Sequence, residues 1–205
     1  MKHQVTRFKN LKVGLKEIEP FIRDGKHLQT GRPFKRFGGL RSRELLANWL
    51  LCAAANFACG ADRLTFTSDP VGGDGIICDT ATGRTWPTEH VLVPSARSGE
   101  ATDVEALILK AIKSKRDKGG AAYAAGKTLV VFLNAGGGEW YPNRVARHLP
   151  EPLLFDAAWV VALQCVEDYG YVYAVTMLDQ SSGMAPAWRV RIGRGFDTWE
   201  VTPIQ

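Results

Sequence analysis

The chain has 205 residues, of which 45% are apolar and 23% are charged, a balance that can fill a core and excludes disordered and collagen-like classes. No apolar run reaches the roughly 18 residues that a membrane-spanning helix needs, so we expect no membrane partner. The net charge of +5 is unevenly distributed, because residues 1–43 carry twelve Lys or Arg and only three Asp or Glu. A basic segment therefore precedes a mildly acidic body.

The first forty residues mix basic and apolar side chains without one clean period. Glycines and prolines recur through this segment, so the pattern predicts one or two short helices or strands that lie over the main domain. The clearest helix follows at residues 42–60, with Ser42 as the expected N-cap and Gly60 as the expected stop. We therefore divide the chain into a basic N-terminal extension, 1–40, and one domain, 41–205.

Alternation with a period of two predicts three strands after that helix, at residues 64–68, 75–79 and 85–94. The ATGRT segment between the last two is typical of a hairpin turn, which makes the three strands a meander. A second helix is predicted from residue 100 to 118, and the unbroken apolar run at 129–134 indicates a strand that is covered on both faces.

The remaining residues continue this alternation of helices and strands. The pattern predicts a loop at 136–138, a short helix at 143–148, and strands at 157–165, 171–178, 188–192 and 198–204. The order of elements favours an α/β fold with a mixed β-sheet flanked by helices. A strand that is reached through a helix should lie parallel to a neighbouring strand.

The cysteines and the N-terminus bear on the compartment. The four cysteines form no CxxC pair and have no zinc-like spacing with histidine; they are Cys52, Cys59, Cys78 and Cys165. They are typical of reduced thiols in the core of a cytoplasmic protein. The basic N-terminus is followed by no apolar export segment, which also favours the cytoplasm.

An acidic pair is the most informative chemical feature of the sequence. Asp74 stands at the start of one predicted strand, and Glu89 lies in the middle of the next. A hairpin turn at 81–83 would bring both carboxylates near the same edge of the sheet. Two neighbouring carboxylates stay ionised most easily around a hard divalent cation such as Mg²⁺ or Mn²⁺. The alternative is that Asp74 is a turn residue and Glu89 an exposed strand residue.

The order of elements from RSRELLANWLL through GGDGI to LVVFL resembles the PD-(D/E)xK nuclease superfamily over about residues 41–165. The resemblance implies a restriction-endonuclease-like core and metal-dependent hydrolysis of DNA phosphodiester bonds. It also implies that Asp74 and Glu89 bind Mg²⁺ or Mn²⁺. By the same resemblance, Glu44 matches an acidic residue that many members carry on the first helix.

The sequence departs from the family motif at the lysine. The tripeptide reads EHV, with Val91 where the family has the lysine that orients the attacking water. Some members supply this lysine from the following helix, so we expect Lys113 first, and Lys110 or Lys115 next, to replace it. The alternative for all three is a solvated helix face. His90 could bind a metal or act as a base, but it faces away from the acidic pair and is more often a packed residue.

Other residues near the pair have structural interpretations. Asp69 precedes a proline and is expected to cap a loop, with a weaker alternative as a second metal ligand, and Asp79 is expected in the hairpin turn. Lys127 belongs to a GKT segment, but a phosphate-binding loop would need glycine at position 121 and a helix afterwards. We therefore expect Lys127 at the entry of a strand.

The basic segment favours a polyanionic partner, because each Lys or Arg placed on a phosphate releases a counterion. The residues expected to contact DNA phosphates beside the acidic pair are Arg32, Lys35, Arg36, Arg41 and Arg43. A homodimer is left open, since nucleases of this fold often pair but the sequence shows no seam. Two other functions stay open: a non-catalytic member of the fold that binds nucleic acid or protein, and a protein-interaction module with surface carboxylates.

Overall fold

The computed structural model of the protein describes residues 5–23, 25, 32–94, 103–134, 139–167 and 170–204. The described helices are α1 Leu11–Ile22, α2 Ser42–Cys59, α3 Val104–Ala124 and α4 Pro142–Arg147, with a short 3₁₀ turn at Lys35–Phe37. The described strands are β1 Leu64–Thr67, β2 Ile76–Asp79, β3 Thr85–Val93, β4 Thr128–Leu133, β5 Ala157–Glu167, β6 Gly170–Leu178, β7 Ala187–Gly193 and β8 Trp199–Pro203. The predicted helix start at 100–102 and the predicted loop at 136–138 lie outside the described residues.

Helix α2 is the most deeply buried helix, because its apolar side chains occupy its whole circumference. Thirteen of its 18 residues are buried, and a helix that is apolar all round is stable only when it is covered on every side. It ends at Gly60, which has the left-handed φ of 61° expected of a stop residue. No described helix has both the length and the apolar character that crossing a bilayer requires.

The eight described strands form one mixed sheet whose spatial order follows the chain from β1 to β8. Neighbours are antiparallel except that β3, β4 and β5 are parallel, since α3 and α4 connect them. The predicted mixed sheet and the parallel placement after a helix are therefore confirmed. Helix α2 contacts β1 and β2 near one end of the sheet and β7 and β8 at the other, so the sheet curls around it.

The two faces of β4 explain its unbroken apolar sequence. Val130 and Phe132 belong to the core around α2, whereas Leu129, Val131 and Leu133 belong to a second core under α3 and α4. Each face of the strand is covered by helices, so residues 129–133 carry only apolar side chains. In the pairing of β3 with β4, His90 lies beside Val130 and Glu89 lies beside Leu129. The side chains of His90 and Glu89 therefore lie on opposite faces of the sheet.

The N-terminal extension contributes to the same core as α2. Leu11, Leu15 and Ile18 of α1 are buried against it, and the indole Nε1 of Trp49 donates to the Leu11 carbonyl oxygen at 2.8 Å. Before α1, Arg7 forms a β-bridge with Thr67 at the edge of the sheet. The predicted boundary at residue 40 therefore crosses one shared hydrophobic core.

Two local expectations were wrong. Arg41 rather than Ser42 is the N-cap of α2, because the Glu44 carboxylate accepts the Arg41 backbone N–H and fixes the first turn one residue earlier. Only two of the four cysteines, Cys52 and Cys78, are buried in the core. Cys59 is exposed because it is the last residue of α2, and Cys165 is exposed because it lies on the uncovered part of β5.

Trp49 should be the residue of α2 on which stability depends most. It is fully buried, and its ring meets Trp199 of β8 edge-on with centroids 5.3 Å apart. We expect Trp49→Ala to lower the free energy of unfolding by about 3–5 kcal/mol in urea titrations. Phe57→Ala on the same helix is the control, since Phe57 is 46% exposed and should cost under about 1 kcal/mol. Equal losses in the two variants would contradict the central position of Trp49.

Candidate functional site

Asp74 is held in place from two sides at the point where β2 and β3 separate. The backbone N–H of His90 donates to Asp74 Oδ2 at 2.8 Å, and the Asn48 side-chain amide donates to the Asp74 carbonyl oxygen at 2.9 Å. The other carboxylate oxygen, Oδ1, has no hydrogen bond to a described residue. Asp74 is therefore fixed in orientation while one of its oxygens remains available.

Gly75 makes this arrangement sterically feasible. Its φ is +124°, and a Cβ at this position would overlap the amide nitrogen of Asn48 and lie 3.2 Å from Thr88 Oγ1. Only glycine combines that backbone conformation with so close an approach. The sequence predicts position 75 as the first residue of a strand, and the structure shows that Gly75 also admits the amide that anchors Asp74.

Glu89 is buried on the α3 side of the sheet between two lysines. Its Oε1 lies 2.6 Å from Lys115 Nζ of α3, and its Oε2 lies 3.6 Å from Lys127 Nζ at the start of β4. The residue is only 8% exposed, so both ion pairs are shielded from solvent more than surface pairs are. The buried carboxylate is thereby compensated by two positive charges from different elements.

Tyr123 completes the surroundings of Glu89. Burial, a hydrogen bond to Glu89, and the negative charges of Glu89 and Asp74 together raise the pKa of the Tyr123 phenol. The phenol therefore stays protonated beside the carboxylate. Its ring also lies 4.0 Å from Lys127 Nζ, centroid to nitrogen, which is cation–π contact.

Two glycines at the end of α3 allow Tyr123 to reach this position. A Cβ on Gly119 would overlap the Tyr123 ring, and Gly120 leaves helical geometry with a φ of 61° and a ψ of −165°. The backbone turns at this pair, so the residue four positions after Gly119 folds back onto it. The two glycines of KGGAAY thus allow the Tyr123 side chain to lie beside Glu89.

Glu44 interacts electrostatically with Asp74, but its carboxylate is occupied by other contacts. Its carboxylate accepts the backbone N–H of Arg41 at 2.8 Å and lies 3.1 Å from Arg41 Nη1 and 3.2 Å from Arg43 Nη2. Burial and the nearby charge of Asp74 raise its pKa, against the opposing effect of the two arginines. The structure therefore brings Glu44 into the electrostatic field of Asp74 while using its oxygens to cap α2.

His90 lies on the opposite face of β3 from Glu89, as the period of two predicts. Its Nε2 is 3.2 Å from Asn48 Oδ1, which can only accept, so Nε2 carries the proton. Asn48 Oδ1 also accepts the hydroxyl of Thr88 at 2.9 Å. Burial and the charge of Arg43 lower the pKa of His90 to about 3, against the opposing charge of Glu89. The imidazole is therefore neutral and packed.

The lysine of α3 that lies beside Glu89 is not the one that was expected first. Lys113 and Lys110 have exposed side chains on α3, whereas Lys115 forms the ion pair with Glu89. The reason is helical spacing, because the buried face of α3 passes through Ile108 and Ile112 and reaches position 115 one turn later. Lys115, and not Lys113, is therefore the lysine of α3 that the structure places beside Glu89.

The predicted DNA-contacting residues divide into two groups. The side chains of Arg32, Lys35 and Arg36 are exposed, in and before the 3₁₀ turn. Those of Arg41 and Arg43 are partly buried against Glu44. The exposed group is accessible to a phosphate backbone, while the second group positions the start of α2.

Three residues of the site were missed in the sequence or interpreted differently: Asn48, Tyr123 and Lys127. A signal for Asn48 was present, since a polar residue in a helix that is apolar all round needs a buried partner. A signal for Lys127 was also present, because the same alternation that buries Leu129 places Lys127 on the face of Glu89. Tyr123 gave no such signal, since its position depends on the turn of the backbone at Gly120.

Within the described residues, no group of three or more His, Cys, Asp or Glu side chains is arranged to hold a metal ion. The acidic pair is Asp74 and Glu89, and Glu44, which lies in the field of Asp74, is engaged with arginines. Mg²⁺ is commonly bound by one or two carboxylates together with waters and substrate phosphates. Of the acidic pair, Asp74 has one carboxylate oxygen without a described hydrogen bond, whereas both oxygens of Glu89 lie beside lysines, so the described residues form no closed structural metal site.

Comparison with known proteins gives no relative for this chain. No family model, curated protein or solved structure matches it.

The pH dependence of stability should report the burial of His90. An imidazole with a pKa of about 3 when folded and about 6.5 when unfolded stabilises the protein above pH 6.5, and this contribution falls as pH falls below 6.5. Between pH 8 and pH 5 the loss amounts to about 2 kcal/mol. We expect His90→Gln to be less stable at pH 8 but to lose less stability on acidification. Parallel curves of wild type and variant in urea unfolding would contradict the buried neutral state.

The contact between Gly119 and Tyr123 can be tested by a double-mutant cycle. Replacing a helix glycine by alanine ordinarily stabilises a protein by about 0.5–1 kcal/mol. Gly119→Ala should instead destabilise it by about 1–3 kcal/mol, because the methyl group would displace the Tyr123 ring. In a Tyr123→Ala background the same substitution should become neutral or stabilising. A destabilisation of equal size in both backgrounds would rule out the proposed overlap as its cause.

Proposed function

We propose that the protein is a metal-dependent nuclease that hydrolyses DNA phosphodiester bonds at Asp74 and Glu89. The observation that carries the proposal is the ion pair between Glu89 and Lys115, since it supplies from α3 the lysine that the EHV tripeptide lacks. The order of α2, the three-strand meander, α3 and the parallel β4 agrees with the order on which the family resemblance rests. It supports the finer assignment of a restriction-endonuclease-like core.

Asp74 and Glu89 are the residues that would hold Mg²⁺ or Mn²⁺. When bound, such an ion lowers the pKa of a coordinated water and stabilises charge on a phosphate. Asp74 is suited to this role because its Oδ2 is fixed by the His90 N–H while Oδ1 has no described hydrogen bond. Glu89 is suited because Lys115 of α3 and Lys127 beside β4 hold its carboxylate in place and balance its negative charge.

Lys115 and Lys127 would act on the substrate through their positive charges. Both ammonium groups lie within 4 Å of the Glu89 carboxylate, so a phosphate that approaches the acidic pair also approaches them. Fixed cations beside a reacting phosphate stabilise the negative charge that develops on its oxygens. The exposed Arg32, Lys35 and Arg36 would hold the flanking phosphates, and the free thiols favour a cytoplasmic setting.

The decisive test is cleavage of supercoiled and linear DNA in Mg²⁺, Mn²⁺ or EDTA. We expect metal-dependent cleavage by the wild type and a loss of at least about a hundredfold in Asp74→Asn and in Lys115→Met, because each substitution removes a charge from the site. Lys113→Met is the matched control, since it removes an exposed lysine from the same helix and should keep activity within about twofold.

Thermal unfolding of each variant should be measured beside cleavage, so that loss of activity is distinguished from loss of structure. Full activity in Asp74→Asn would refute the proposed site. Loss of activity in Lys113→Met with retention in Lys115→Met would instead restore the order of lysines that the sequence favours.

A second candidate function has a specific observation in its favour. Glu89 is already compensated by two lysines and a phenol, which is also the arrangement of a purely structural buried carboxylate. A non-catalytic member of the fold would bind DNA with strong salt dependence and cleave none with any metal. Absence of DNA binding at low salt, with no shift in melting temperature on adding Mg²⁺, would favour a protein-interaction module.

A further inference from the structure

A cavity of about 280 Å³ opens to solvent beside the C-terminal half of α2. It lies on the face of the sheet that meets α2, where the core around that helix comes to the surface. Four large apolar side chains at the margin of this core line the cavity and remain partly exposed: Leu64, Trp86, Trp159 and Met177. Apolar side chains that stay together at the surface indicate a binding site, whereas scattered ones are ordinary.

Small side chains on α2 leave room for this cavity. Cys52 and Ala55 line it from the helix, and their spacing of three residues places them on one side of α2. Neither side chain is long enough to fill the space opposite. An apolar cavity of about 150 Å³ holds one molecule of benzene. The cavity of about 280 Å³ therefore has room for two fused aromatic rings.

The two tryptophans of the cavity are each held by a neighbour that does not line it. The ring of Trp159 stacks on that of Trp188 with centroids 5.8 Å apart and an angle of 26° between the planes. The guanidinium carbon of Arg84 lies 5.5 Å from the centroid of the Trp86 ring. Both aromatic walls are therefore positioned in advance, which lowers the entropy that binding a ligand would cost. Indole rings favour stacked or edge-on contact with another aromatic ring.

A carboxylate at the rim indicates the charge of the ligand. Asp156 lines the cavity, its backbone N–H donates to the Lys127 carbonyl oxygen at 2.9 Å, and its Oδ1 accepts the N–H of Gly126 at 3.1 Å. Its Oδ2 has no hydrogen bond and no ion pair with a described residue. The Lys127 ammonium lies instead 3.6 Å from Glu89 Oε2. The rim therefore presents a fixed carboxylate that no described cation compensates.

We propose that this cavity is a binding site for a small aromatic cation, a flat molecule of two fused rings that carries an ammonium group. The rings contact Trp86 and Trp159, and the ammonium group pairs with Asp156 at the rim. A cation beside an indole ring is favoured in addition by the negative face of the ring. The inference is independent of the proposed function, because the cavity lies on the α2 side of the sheet and the Glu89 side chain lies on the α3 side.

The test is calorimetric titration of the full chain at neutral pH with tryptamine, tryptophol and indoleacetate. The three probes share one ring system and carry a positive, a neutral and a negative side chain. Tryptamine should bind about fivefold more tightly than tryptophol, since only its ammonium group pairs with Asp156, and indoleacetate should bind most weakly. Asp156→Asn should abolish the difference between tryptamine and tryptophol. Asp197→Asn is the matched control, because Asp197 is exposed and does not line the cavity.

A cavity-filling variant tests the position of the site. Ala55→Phe should weaken binding of tryptamine and tryptophol at least about tenfold, because a phenyl ring takes roughly half of the space and leaves too little for two rings. Ala58→Phe is the matched control, since Ala58 is exposed one turn later on α2 and does not line the cavity. Melting temperatures measured beside the titrations distinguish a filled cavity from a misfolded protein.

Each outcome decides the proposal. Tryptamine binding that depends on both Asp156 and the space beside Ala55 would support it. Binding that survives in a folded Ala55→Phe variant would place the ligand elsewhere and overturn it. Tightest binding by indoleacetate would overturn the assignment of a cation and would point to Arg84 as the charged partner. Binding of none of the three probes would overturn the site for this class of ligand, while leaving the nuclease proposal untouched.

Discussion

The burial of one apolar helix is the constraint on which the rest of the molecule depends. Helix α2 has no polar face, so the protein must cover it on every side. The sheet does this by curling until strands near both of its ends contact the helix, and α1 covers part of what remains. The mixed topology follows from the same requirement, since α3 and α4 lie over the opposite face of the sheet and connect its parallel strands.

Two of the buried polar residues on α2, Asn48 and Glu44, lie beside the candidate site. Asn48 binds the Asp74 carbonyl oxygen and the His90 ring, and Glu44 holds the first turn of the helix through its arginines. Buried polar groups are costly unless each is satisfied, so these contacts fix the loop before β2 and the middle of β3 relative to α2. Asp74 thus has a rigid support through a hydrogen bond to a buried helix, whereas Glu89 is held by Lys115 and Lys127 on the other side of the sheet.

Much of the fold could be predicted from the sequence, because periodicity alone separates its helices from its strands. The apolar run from Leu129 to Leu133 indicated a strand covered on both faces, and the alternation around Glu89 placed His90 on the opposite face. The site was predicted less completely, since its contacts join distant segments. No local pattern shows that Lys115 rather than Lys113 meets Glu89, because that choice depends on how α3 rotates against the sheet.

The agreement between strand order and chain order has a consequence for biosynthesis. Strands β7 and β8, which cover one side of α2, are translated more than a hundred residues after the helix itself. At ordinary elongation rates this delay is on the order of ten seconds. During that interval the apolar surface around Trp49 has no partner from the end of the chain, since Trp199 has not yet been made. The nascent protein therefore passes through a stage in which its most apolar helix is the natural target of a chaperone.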